Sequence, residues 1–214
     1  VVSTGGATGG AGSYAPVFSA NGRYLVFTSR ANNLVTNDSN EIWSDVFVRD
    51  LLDNTTTLVS RSTNAFGGGN GNSLNPVISS NGQFVVFESL ANNLVPGDTN
   101  GLYDIFVRDN LAGTTTLVTA APDGNRANGP SRFPVISPDG RWVAFESTAT
   151  NLVAGDTNGL KDVFLWDRQT GTSHLVSVGS SAPGIGSETP ALSPNGQWQA
   201  FVSDAVFGTT KAKS

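Results

Sequence analysis

Cysteine and methionine are absent from this chain, and histidine occurs once, at His174. Without cysteine there can be no disulfide, thiol nucleophile or thiolate metal site, and a single histidine cannot build a histidine-rich zinc site. Lysine is almost missing as well, with Lys161 in the body and Lys211 and Lys213 in the tail. A formal net charge of −5 without clustered cations opposes binding to phosphate backbones, so we expect no nucleic-acid partner. No apolar run approaches the ~20 residues that cross a bilayer as a helix, and no charged-then-apolar leader opens the chain. The sequence does not begin with methionine, from which we expect a processed or incomplete segment; a removed signal peptide and an excised fragment both fit. A composition rich in Asn, Thr, Ser and Gly points to an exported protein, extracellular or in the cell envelope. The Gly-x-Ser-x-Gly elbow, the phosphate loop and the dinucleotide fingerprint are all missing.

What the chain does contain is one pattern written four times. Its third copy runs from Phe133-Pro134-Val135-Ile136-Ser137-Pro138-Asp139-Gly140-Arg141 to Phe145-Glu146-Ser147, and the counterparts of Pro134 are Pro16, Pro76 and Pro190. These prolines stand 60, 58 and 56 residues apart. A nearly constant period of this length means repeated units that bury their apolar faces against one another. Within a unit, short β-branched and aromatic runs alternate with Asn-Gly or Asp-Gly turns, and no helical apolar period persists. In the second unit we expect strand a over Pro76–Ser79, b over Phe84–Ser89, c over Tyr103–Asp109 and d over Thr114–Thr119. Four antiparallel strands per unit make a propeller blade. The expected fold is therefore an all-β propeller of about four blades, near residues 15–60, 75–119, 133–177 and 189–207, with 208–214 as a tail. Val17, Val26, Phe27, Phe47, Val77, Val86, Phe87, Phe106, Val135, Phe145 and Phe164 are the expected core between sheets.

Ser137-Pro138-Asp139-Gly140-Arg141 followed by Phe145-Glu146-Ser147 resembles the repeat of the TolB-type, WD-repeat-like propeller family. Asn21-Gly22-Arg23, Asn81-Gly82-Gln83 and Asn195-Gly196-Gln197 are looser versions, and Trp166-Asp167 falls where a Trp-Asp pair would end strand c. The resemblance implies a propeller but no particular activity. It also implies six blades, for which this sequence is too short. Val1-Val2-Ser3 reads as the end of a strand d without its blade, so we expect residues 1–3 to complete the last blade beside Asp204–Phe207. The rivals are a fragment of a larger propeller and self-association by strand sharing.

The turns between strands a and b and between c and d are short, whereas the b–c and d–a connections are long and emerge on one face. Function concentrates on loops held by a rigid scaffold, so that face is the expected surface for a protein or glycan partner. Inside the b–c loops, Asp98, Asn100 and Asp104 recur as Asp156, Asn158 and Asp162, and as a longer variant Asp38, Asn40 and Asp45. Oxygen donors at this spacing around a bend-permitting glycine suit calcium; the same residues also suit hydrogen-bonded Asx-turns and the start of strand c. Glu88 and Glu146 occupy matching positions at the ends of strands b, and paired carboxylates can do acid–base work on a glycoside. His174 has no nucleophile beside it, and Arg49-Asp50 and Arg108-Asp109 read as solvated hairpin ends. No catalytic residue is assigned. The expected role is a non-catalytic binding scaffold or structural unit of an assembly, possible calcium being its one cofactor. The alternatives are a carbohydrate-active enzyme using loop carboxylates and the propeller fragment of a larger protein.

Overall fold

The computed structural model describes residues 9–38, 42–63, 67–177, 186–194 and 196–203, and every regular element among them is a β-strand. The first sheet comprises β1 (Ser13–Phe18), β2 (Tyr24–Ser29), β3 (Asp45–Asp50) and β4 (Thr55–Leu58). The second comprises β5 (Ser73–Ile78), β6 (Phe84–Ser89), β7 (Asp104–Asp109) and β8 (Thr114–Leu117). β9 (Ser131–Ile136), β10 (Trp142–Ser147), β11 (Asp162–Asp167) and β12 (Thr172–Leu175) form the third, and β13 (Ser187–Leu192) pairs with β14 (Gln199–Ser203) in the fourth. Neighbours in the chain pair antiparallel throughout, the up-and-down order of a propeller blade. The segments 1–3 and 204–207, on which ring closure was expected to depend, lie outside the described residues.

The tight a–b turns follow from side-chain chemistry. Ser79 Oγ donates to Asn81 Oδ1 (2.8 Å) and accepts the Phe84 N–H (3.0 Å), and Asn81 Oδ1 also accepts the Gln83 N–H (3.0 Å). Ser137 and Asp139 repeat this in the third sheet. The glycine that follows is fixed by two demands together. Gly82 and Gly140 have φ of +80° and +74°, and a Cβ there would collide with the Tyr24 ring and the Phe84 ring of the preceding sheet, respectively.

Strand a departs from expectation. It begins three residues earlier, at Ser73 rather than Pro76, and contains a bulge at the residue before each proline. Ala15, Asn75, Phe133 and Thr189 all have φ near +50°, with the pairing register shifting across each. Proline has no N–H for the ladder, so the strand accommodates it by bulging. These four strands lie innermost around a central opening of about 300 Å³, lined by the four bulge residues and by Pro76, Pro134 and Pro190. Val17, Val77 and Val135 line this opening and are half-buried, although Val17 and Val77 also pack against the clusters between sheets.

The remaining expected core is buried. Strands b and c of the second and third sheets are covered on both faces because each of these sheets lies between two others, whereas Val202 on β14 of the fourth is exposed. Phe87 and Phe106 pack with Val26, Val46 and Val48 between the first and second sheets. Phe145 and Phe164 pack with Val86, Ile105 and Val107 between the second and third. Cross-strand phenylalanines stack in each sheet, with ring centroids 5.7 Å apart for Phe27 and Phe47, 5.9 Å for Phe87 and Phe106, and 5.7 Å for Phe145 and Phe164.

Candidate functional site

The b–c loops of the second and third sheets have one construction. Asn100 Oδ1 accepts the Leu102 N–H (2.9 Å) and its Nδ2 donates to Asp104 Oδ2 (2.8 Å). Asn158 does the same with Leu160 (2.8 Å) and Asp162 Oδ2 (2.8 Å). The well-formed Asx-turns of these loops therefore belong to the asparagines. Asp104 and Asp162 begin strand c and brace it to the end of strand d, since Thr119 Oγ1 and Ser177 Oγ each donate to their Oδ1 at 2.5 Å. In the first sheet Ser60 Oγ donates to Asp45 Oδ1 (2.6 Å), so all three aspartates share this brace. Asp38 is half-buried in the first b–c loop, and Asn40 lies outside the described residues.

Asp98 and Asp156 behave differently. Both are buried, yet Asp98 Oδ1 and both carboxylate oxygens of Asp156 lack a hydrogen-bond partner. The Asn158 amide lies near enough to Asp156 to favour its charge but outside hydrogen-bond geometry. Burial raises the Asp156 carboxyl pKa, and the charge of Asp162 raises it further. Burial likewise raises that of Asp98, against the opposing charge of Arg126. Burial pushes Asp104 up to about 6 despite its Thr119 and Asn100 hydrogen bonds, and Asp98 adds to the rise. Among the described residues no three Asp, Glu or His side chains converge as metal ligands; the loop carboxylates come in pairs.

Glu88 and Glu146 sit on strands β6 and β10, not on loops, and reach across blade junctions. Glu88 is fully buried; its Oε1 accepts from Arg132 Nη1 (2.9 Å) and its Oε2 accepts the N–H of the bulge residue Phe133 (2.9 Å). The Arg132 guanidinium also lies 3.5 Å from the centre of the Tyr103 ring. Glu146 Oε2 accepts the corresponding Thr189 N–H at 3.3 Å, and Lys161 bridges Glu146 (3.4 Å) and Glu188 (2.9 Å). The bulge thus turns an N–H off the sheet ladder toward a carboxylate of the preceding blade. Both glutamates join sheets; Glu146 also lines a small cavity of about 190 Å³ together with Arg132, Thr148 and Lys161. Sequence reading noted their shared position but missed this clasp; the cations at Arg132 and Lys161 were its available signal.

An open groove of about 440 Å³ lies at the short-turn end between the first two sheets, lined by Tyr24, Asp50, Thr55, Gln83, Arg108 and Asn110 among others. At the next junction Arg168 takes the place of Asn110, and its guanidinium lies 3.8 Å from the centre of the Phe84 ring. The hairpin-end carboxylates do not pair with their arginine neighbours in sequence. Arg23 binds Asp50 across strands (2.7 Å) and Arg141 binds Asp167 (2.8 Å), while Arg49 and Arg108 bond threonines of strand d. His174 is exposed on β12, 3.5 Å from Thr172 Oγ1.

Four-stranded radial sheets around a central opening define a β-propeller of TolB-like fold. Among solved structures, TolB from Acinetobacter baumannii aligns with a TM-score of 0.53 and 18% identity over 91% of this chain and 38% of its own length. A prolyl endopeptidase aligns at 0.50 and 15% identity over 83% of this chain and 23% of its own. The β-propeller domain of the trilobed protease from Pyrococcus furiosus aligns at 0.49 and 14% identity over 78% of this chain and 42% of its own. The chain therefore spans less than half the length of each of these structures. No protein-family model matches the sequence. No curated protein matches it. At these identities the likeness establishes the fold alone.

No helix among the described residues is long and apolar enough to cross a membrane.

Proposed function

We propose that this chain is a non-catalytic propeller segment of an exported or cell-envelope protein, a recognition scaffold that offers its long-loop face to a protein or glycan partner. The observation that carries this reading is the commitment of Glu88 and Glu146, the carboxylates at matching ends of strands b, to the clasps between sheets. A general acid or base must reach the proton it transfers. Here the Glu88 oxygens face Arg132 and a backbone amide instead. The long b–c and d–a loops, by contrast, stand on a rigid sheet framework, the arrangement that suits recognition.

The test pairs a glycan- and peptide-cleavage screen with binding to a glycan array and to immobilised envelope proteins. The scaffold reading expects a bound partner without turnover, and loss of binding when exposed residues of the b–c loops are changed. Turnover that vanishes in Glu88→Gln and Glu146→Gln would replace it with the carbohydrate-active reading. Native mass in the same experiment reads self-association directly.

A further inference from the structure

The b–c loops of the second and third sheets each bury a carboxylate for which the fold supplies too few donors. Asp156 is 6% exposed with neither oxygen hydrogen-bonded, and Asp98 is 5% exposed with Oδ1 unpartnered. Buried polar groups are nearly always satisfied, and a buried charge is normally paired or bound to a metal. The same feature occurs at the same place in two successive repeats. Beside each lies a second carboxylate at the start of strand c. Asp162 acts electrostatically on Asp156, and Asp98 on Asp104. Each oxygen of Asp104 and Asp162 accepts one hydrogen bond, and a carboxylate has about four acceptor sites, so both retain acceptor capacity.

We propose that the loop from Asp156 to Asp162 binds a calcium ion between the carboxylates of these two residues, and that the loop from Asp98 to Asp104 is a weaker copy. Only oxygen donors are present, which suits a hard cation, and calcium accepts the irregular mixture of carboxylates, backbone carbonyls and water that such a loop can offer. Asn158, with Nδ2 on Asp162 Oδ2 and Oδ1 on the Leu160 amide, holds the second carboxylate and the turn in place from the side. The copy is weaker because Arg126 already supplies positive charge near Asp98 and occupies the carbonyls of Gly97 (2.9 Å) and Pro96 (2.8 Å). With two carboxylates per loop, the affinity belongs in the range of extracellular calcium modules, about 0.1–1 mM. This proposal is independent of the partner reading above.

The experiment uses the whole chain, freed of metal with a chelator and then titrated with calcium chloride, with magnesium chloride at equal ionic strength as the control. Calcium at tenfold its dissociation constant should raise Tm by about 3–6 °C, with magnesium having little effect. Asp156→Asn should abolish most of that rise and Asp98→Asn a smaller part. In the absence of calcium Asp156→Asn should melt at or above the wild-type temperature, because it removes a buried charge that has no partner. A turn-holding aspartate gives the opposite sign. Absence of a calcium-specific rise, an undiminished rise in Asp156→Asn, or a metal-free Asp156→Asn that is destabilised or fails to fold would each overturn the proposal.

Discussion

At the junction between the second and third sheets, Glu88 is buried against Arg132 and the bulge amide of Phe133, Tyr103 stacks on the guanidinium, and Arg168 covers Phe84. At the junction between the first and second, Thr28 occupies the position of Glu88 with its hydroxyl buried and unbonded, Leu74 replaces Arg132, and a groove stays open beside Tyr24. The apolar halves of the two junctions are alike: phenylalanine pairs and valines fill both, and a turn glycine of the following sheet lies on an aromatic ring in each. Blade stacking is therefore carried by the repeated apolar residues. The polar halves vary without changing the stacking, and that variation is what makes one junction closed and the other open.

The largest expected effect tests the shared half. Phe106→Ala and Phe164→Ala each remove a fully buried ring, one from each junction, and each should cost about 3–5 kcal/mol in denaturant unfolding. Values that differ widely would mean that the junctions are not apolar equivalents. The polar difference should then appear with opposite signs. Arg132→Leu strands the buried Glu88 carboxylate and should cost about 2 kcal/mol, below the usual loss for a buried pair because Arg132 itself is partly exposed. Thr28→Val removes a buried hydroxyl without a partner and should stabilise by about 1 kcal/mol. Equal effects of one sign in the two variants would break the contrast.

The smallest effect concerns the wall of the open groove. The Arg23 guanidinium holds the Asp50 carboxyl down to about 2, with the loop amides of Asp53 and Leu52 helping, from an ordinary value of 3.8. A depressed folded-state pKa gives stability that is fully present above pH ~4 and lost as pH falls toward 2. Arg23→Gln should flatten that part of the acid melting profile, bringing the first sheet closer to the second, where neutral Gln83 faces Asp109 at 3.2 Å. Melting temperatures between pH 2 and 5 measure the difference.

Much of the fold was legible because strand b obeys local rules. Phe84–Ser89 and Tyr24–Ser29 lie between turn residues whose own side chains close the hairpin, so their boundaries follow from short-range chemistry. Strand a was read too short because Asn75-Pro76 argues locally against pairing, whereas the bulge and the neighbouring sheet make that conformation tolerable. The loop aspartates lie in the b–c loops and at the start of strand c, where the strand boundaries put them. Their division of labour was not visible, since identical Asp and Asn residues become turn-holder, strand brace or buried unpartnered carboxylate only through what surrounds them.

The sequence by itself determined a stack of antiparallel β-units. Its period, its alternating apolar strands and its Asn-Gly and Asp-Gly turns are local instructions that need no distant partner. Only the tertiary structure decided that Glu88 reaches the Phe133 amide, that Arg168 closes one junction while Asn110 leaves the other open, and that Asp156 is enclosed without a donor. Each of those outcomes depends on residues brought together from different repeats or loops, and on the exclusion of water when the sheets meet, which converts a solvated carboxylate into one that must find a partner.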